Sequence, residues 1–159
     1  MSLGRTPSQT VGPFFAIGLC DRKENELVEP VDPAALTLTG LLLDGQGTPI
    51  TDGMIEVWDG RRWGRCGTDG SGAFSFVVAK PAVGRGAPCL EVSVFGRGLL
   101  RHQLTRVYFP DEAEANGADS FLSRLSPEER VTLLAEPVDG GIRFDIHMQG
   151  PLATTFFAH

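Results

Sequence analysis

Few residues in this 159-residue chain belong to the types that do covalent or metal chemistry. There are three histidines (His102, His147, His159), three cysteines (Cys20, Cys66, Cys89) and a single tyrosine, Tyr108. No histidine stands at the tight helical or hairpin spacing from a second ligand that a metal motif needs. His147 shares a strand face with Asp145, a two-ligand fragment that a solvated polar face explains more cheaply. The Gly-x-Ser-x-Gly elbow of a serine hydrolase is absent, and so is a phosphate loop. Gly96-Arg97-Gly98 opens like a dinucleotide fingerprint, but its sixth position is Arg101 and no helical pattern follows. Tyr108 closes a strand and reads as a half-buried core residue with its hydroxyl bonded at the rim. No residue is therefore assigned a catalytic or metal-binding role in this chain.

The arginines remain. Arg61, Arg62 and Arg65 flank Trp63 in a Gly-rich stretch that reads as a solvated tip. Arg97, Arg101 and Arg106 gather around one strand connection. The planar guanidinium fork donates two parallel bonds to a carboxylate. This second group is thus either a set of salt bridges to the chain's own acids or a recognition site for an anionic ligand.

The elements that must position these residues are mostly strands. Twenty glycines and eleven prolines are scattered along the chain, as expected for many turns between short strands. Apolar residues alternate or run at 36–43, 54–58, 74–78, 90–94, 104–109 and 142–148, and 154–157 offers a last short strand. In 142–148 the alternation is cleanest: Ile142, Phe144, Ile146 and Met148 oppose Arg143, Asp145, His147 and Gln149. Helix is expected only between 111 and 135, where Ser126 and Glu129 form a capping box with Pro127 at the first helical position. That helix should run through Ala135, with another turn or two over 111–116. The expected fold is an all-β antiparallel sandwich with an irregular N-terminal arm and one or two short helices. Residues 1–35 form the arm and 36–159 the sandwich, in a single domain. The run Phe14-Phe15-Ala16-Ile17 implies that the arm lies across another surface, leaving Phe14, Phe15 and Ile17 as exposed apolar area on the isolated chain.

Composition excludes several classes. A net charge of −6 argues against nucleic-acid binding, which favours a basic domain. No apolar run reaches the ~18 residues of a membrane span, and the first ten residues lack a signal-peptide core. Three cysteines without a CxxC fit reduced thiols in the cytoplasm.

Two sets of residues carry a resemblance. Thr6-Pro7-Ser8-Gln9-Thr10-Val11-Gly12-Pro13 resembles the TPSQTxGP arm of intradiol ring-cleavage dioxygenases of the protocatechuate-cleaving type. Gly40 to Gly47, Ile55-Glu56-Val57-Trp58, Lys80-Pro81, Phe95-Gly96-Arg97-Gly98, Thr105-Arg106-Val107-Tyr108-Phe109 and Arg143-Phe144-Asp145-Ile146 continue it in order over nearly the whole chain. The resemblance implies a β-sandwich whose iron-bearing subunit holds Fe(III) with two tyrosines and two histidines. Here Cys89 and Glu91 stand where the histidines would be, and Pro81-Ala82-Val83 supplies no tyrosine after the Lys-Pro turn. One tyrosine cannot make a two-tyrosine site. The chain is therefore similar to the iron-free α-type subunits, which pair with a β-type subunit carrying the Fe(III). In such pairs the arm lines the partner's pocket, and the substrates are protocatechuate and O₂. Carried over by motif, Thr10, Gly12 and Pro13 line that pocket, and Arg97 lies near the site as positive charge. Phe14-Phe15 replaces a position where relatives often have tyrosine, and the segment 59–73 is shorter than in relatives. The alternative is a non-catalytic, transthyretin-like sandwich module, which would share the strand–DGxGxP–strand pattern of residues 41–58.

Overall fold

Nine short strands build two sheets in the computed structural model, which describes residues 4–20, 24–82, 84 and 86–157. Val83 and His159, both named above, lie outside the described residues. In chain order the strands are β1 (Ala35–Leu43), β2 (Gly53–Trp58), β3 (Trp63–Gly67), β4 (Ala73–Ala79), β5 (Cys89–Gly96), β6 (Gln103–Tyr108), β7 (Glu136–Val138), β8 (Gly141–Arg143) and β9 (Ile146–His147). One sheet has the order β4-β1-β8-β7, with β9 also paired to β1, and the other β3-β2-β5-β6. The inward halves of the alternating runs meet between the sheets. Leu38, Phe76 and Val78 of one sheet share a core with Ile55, Leu90 and Val92 of the other, all at 2% exposure or less. Burying each such side chain contributes roughly 1.5–3 kcal/mol, which fixes the faces of the strands.

The sandwich expectation holds, with one sheet mixed rather than wholly antiparallel: β1 pairs in parallel with β8 and β9. The run 142–148 keeps its period and a single register, but its ladder is interrupted. The Leu41 N–H donates to the Asp145 carboxylate (2.9 Å) instead of a backbone carbonyl, so a side chain takes one rung. Gly40 sits at that crossing, where an added Cβ would collide with the Phe144 carbonyl.

Four elements differ from expectation. Within the Arg/Trp/Gly stretch Trp63–Gly67 form a strand, β3, paired with β2 throughout, and only the turn before it, with Arg61, is an exposed tip. Arg65 of β3 binds Glu56 (Nε to Oε1, 2.8 Å) and lies 4.6 Å from the centre of the Trp63 ring. Helix also occurs in the arm, as α1 (Phe15–Leu19), before the expected α2 (Ala113–Ala118) and α3 (Pro127–Val131), and a 3-10 turn spans Leu122–Arg124. The capping box of α3 is formed, yet the helix ends at Val131. Beyond it, Leu133 and Ala135 exchange backbone bonds with Tyr108 (2.8 and 3.0 Å), so pairing with a sheet edge overrides helix propagation. Residues 154–157 form one bridge, Phe157 to Leu104, rather than a strand.

The arm is partly built into the sandwich. Residues 24–27 lie between the edges of the two sheets: the Arg65 N–H donates to Glu24 (2.8 Å), the Val77 N–H to Asn25 (2.9 Å), and the Leu27 N–H to Val77 (2.8 Å). Leu27 is buried in the main core above Gly64, where a Cβ would strike it. Among the described residues, no helix is long and apolar enough to cross a membrane.

Candidate functional site

The turn between β5 and β6 begins at Gly96-Arg97-Gly98, and the arm docks there. The Thr10 hydroxyl donates to the Gly96 carbonyl (3.3 Å) and accepts from the Gly98 N–H (3.2 Å). Gly98 has φ +89°, a left-handed conformation that a side chain would strain. The two motif segments, 88 residues apart, thus touch directly.

Beyond Thr10 the chain reverses at Gly12, φ +78°. No atom lies within 4 Å of a Cβ placed there, so within this chain glycine is required by the backbone and not by crowding. Pro13 is exposed, as are Val11, Phe14, Ile17 and Leu19. Phe15, expected in the exposed patch, is instead 5% exposed: its ring turns inward where α1 begins. The apolar face of the arm is therefore built from Val11, Phe14, Ile17 and Leu19.

Arg97 lies on the rim of a cavity of about 770 Å³ with an apolar floor of Leu42, Ile50, Val94 and Leu99. Its Nε binds the carboxylate of Asp52, leaving the terminal nitrogens without a hydrogen bond among the described residues. Sequence reading missed Asp52. The two residues become neighbours only through the β2–β5 register, in which Gly53 faces Gly96. On the arm's side of the same turn a hollow of about 510 Å³ is lined by Gln9, Val11, Leu100, Arg101 and His102. His102 stacks on Phe95, ring centres 5.1 Å apart.

Arg106 does not join Arg97 and Arg101. It belongs to a second, smaller core on the outer face of β5 and β6, covered by residues 111–135 and 157. There it binds Glu91 (3.0 Å) and lies over the rings of Phe121 and Phe157, 5.1 and 5.8 Å from their centres. Tyr108 is fully buried, not half-buried, and its hydroxyl makes no hydrogen bond of full geometry among the described residues. Burial pushes its pKa up to about 12 against the pull of Arg106, and burial likewise raises the Cys89 thiol. Asp119 is buried as well. Burial alone would raise its carboxyl, but N–H donations from Leu122, Ala87 and Phe121 outweigh this and hold it below the usual range.

This cluster does not suit Fe(III). Cys89 and Glu91, the positions matched to histidine ligands, face a guanidinium; the one tyrosine resists ionisation; and Glu91 is already paired. Asp145, two residues before His147, is engaged by Leu41 and Arg143. Among the described residues no group of three His, Cys, Asp or Glu is placed to hold a metal ion.

Comparison with known proteins follows the same lines. No family profile matches the chain. It is 37% identical to the protocatechuate 3,4-dioxygenase alpha chain of Burkholderia cepacia, covering 98% of both chains, and 34% identical to that of Pseudomonas putida, covering 98% and 96%. The first alignment spans 195 positions, more than the 159 residues here, so that relative carries segments this chain lacks. Among solved structures, the dioxygenase domain of a dioxygenase–carbohydrate-binding fusion from Streptomyces sp. SirexAA-E superposes with a TM-score of 0.65 at 22% identity, covering 92% and 99% of the two chains. Hydroxyquinol 1,2-dioxygenase from Pseudomonas putida DLL-E4 gives 0.61 at 16%, over 92% of this chain and 67% of that one. At those identities the likeness is one of fold.

Proposed function

The chain belongs to the protocatechuate 3,4-dioxygenase alpha-chain family, and from that premise we propose that it lines the substrate pocket of an iron-bearing β-type partner. The full-length match to enzyme subunits sets aside a stand-alone binding module. Fe(III) held by that partner would supply the activation of protocatechuate toward O₂, and the complex would convert the two into a carboxylated muconate opened between the hydroxylated carbons. This chain contributes walls and charge. Thr10, Gly12 and Pro13 supply the wall, and Arg97 supplies positive charge for the substrate carboxylate. Within the arm 1–35 the stretch up to residue 20 is the partner-facing part, and residues 24–27 tie it to the sandwich 36–159 that carries it. Three cysteines without a CxxC support a reducing, cytoplasmic location.

The observation that carries this reading is the contact between Thr10 and the turn bearing Arg97, which joins the arm and the arginine on one surface. The exposed Phe14 and Ile17 supply apolar area for a partner to cover. Co-expression with a β-type chain tests it. The expected result is a stable hetero-oligomer that consumes O₂ and protocatechuate one to one. A β-type chain that reaches the same activity alone, or that never co-purifies, overturns the proposal.

A further inference from the structure

Four observations around the arm fit together. One hydroxyl, that of Thr10, both donates to Gly96 and accepts from Gly98, on a turn more than 80 residues away in sequence. The Gly98 N–H has no other acceptor among the described residues. Five residues on, Phe15 is buried and α1 starts with the Ile17 and Gly18 N–H groups donating to Phe14 (both 3.1 Å). Between these anchors Val11 and Phe14 are exposed at 39% and 76%, and the backbone reverses at Gly12. A four-residue loop fixed at both ends has little conformational freedom left to lose on binding.

We propose that Thr10 is a positioning residue, a latch that fastens the arm to the Gly96–Gly98 turn so that residues 11–14 and Arg97 meet the partner as one preorganised unit. The proposal rests on the reading of the arm as partner-facing. Its content is that the Thr10 hydroxyl acts through Gly98, while the pocket wall is left to the rest of the residue. A serine can make both bonds, whereas a valine keeps the shape and makes neither.

Two variants separate the possibilities, Thr10→Val and Thr10→Ser. In the free chain, amide exchange at Gly98 followed by NMR should be roughly two- to tenfold faster in Thr10→Val, matching the loss of one ordinary hydrogen bond, and unchanged in Thr10→Ser. An unchanged Gly98 rate in Thr10→Val, with the same melting temperature as the parent, overturns the latch. In the complex with an iron-bearing partner, Thr10→Val should raise KM for protocatechuate by a similar factor and leave kcat in place, and Thr10→Ser should restore it. A KM defect that serine fails to restore assigns the role to the threonine methyl in the pocket and overturns the proposal. If no complex forms, the proposed function fails, while the exchange result still decides what Thr10 does.

Discussion

Arg97 and Asp52 are ion-paired across 45 residues of sequence, so the turn after β5 is tied to the loop before β2. Both side chains are partly solvated, at 61% and 37% exposure, and a pair of this kind contributes below about 1 kcal/mol. Arg97→Ala should therefore leave folding nearly intact. In the assembled enzyme it should lower kcat/KM for protocatechuate roughly ten- to hundredfold, the loss of a charge-assisted contact in a desolvated pocket. Asp52→Asn should act the other way, releasing the guanidinium and lowering KM for the carboxylated substrate. Unsubstituted catechol is the control. Equal effects on both substrates would mean that Arg97 shapes the pocket and does not sense the carboxylate.

Gly12→Ala places a side chain at φ +78°, a strain of roughly 1–2 kcal/mol. The arm should relax locally, with no change in melting temperature but a rise in KM or weaker assembly. Calorimetry and steady-state kinetics check the two halves. A lowered melting temperature would show the reversal at Gly12 to be part of the cooperative fold.

Asp119 accepts from three backbone N–H groups, at Ala87 (2.9 Å), Phe121 (2.8 Å) and Leu122 (2.9 Å). Asp119→Asn turns an amide NH₂ toward at least one of these donors and should cost about 1–3 kcal/mol. The sign of its pH dependence follows from the lowered pKa. Its stabilisation is complete above the unfolded carboxylate value of ~3.9 and is lost as pH falls through the lower folded value. Urea melts between pH 5 and 2 should show a steeper acid loss in the parent than in Asp119→Asn.

Burial pushes the Cys66 thiol up to about 12, with nearby Cys20 adding to the rise and a bond to the Ser75 backbone opposing it. Cys66 should stay protonated and resist alkylation at pH 8 until the chain unfolds. Because an unfolded thiol ionises near ~8.5, this group favours the folded state below that pH and progressively less above it. Peptide mapping after iodoacetamide pulses reads the outcome; labelling of native Cys66 at the rate of a free thiol would contradict it.

The chain purified without a partner should carry no stoichiometric iron and show no visible tyrosinate band. Metal analysis and an absorption spectrum suffice. One iron per chain would show that Arg106 leaves the Cys89–Glu91–Tyr108 cluster and that the cluster binds metal after all.

Strand faces were legible because alternation records which side chains leave water. β3 was not, since Trp63-Gly64-Arg65-Cys66-Gly67 has no such alternation; its extended form comes from β2 beside it, and its glycine at 64 from Leu27 above. The excess helix assigned up to Ala135 has a similar origin, because Leu133 is apolar for the sake of Tyr108 and not for a helical stripe. At the candidate site, Thr10 and Arg97 were nominated by their motifs, and the structure brings their segments into contact. Asp52 was not, because an isolated acid on a turn carries no mark of the strand register that brings it to Arg97.

The seal made by residues 24–27 means that the arm is not a detachable cassette. Cutting the chain after residue 20 would remove the presented loop and leave both sheet edges covered. Cutting at 35 would bare the outer edges of β3 and β4 together with the cleft that holds Leu27, leaving strand edges open to other chains. The first half of the arm can therefore vary without opening a sheet edge, while the second half is bound to the survival of the sandwich itself.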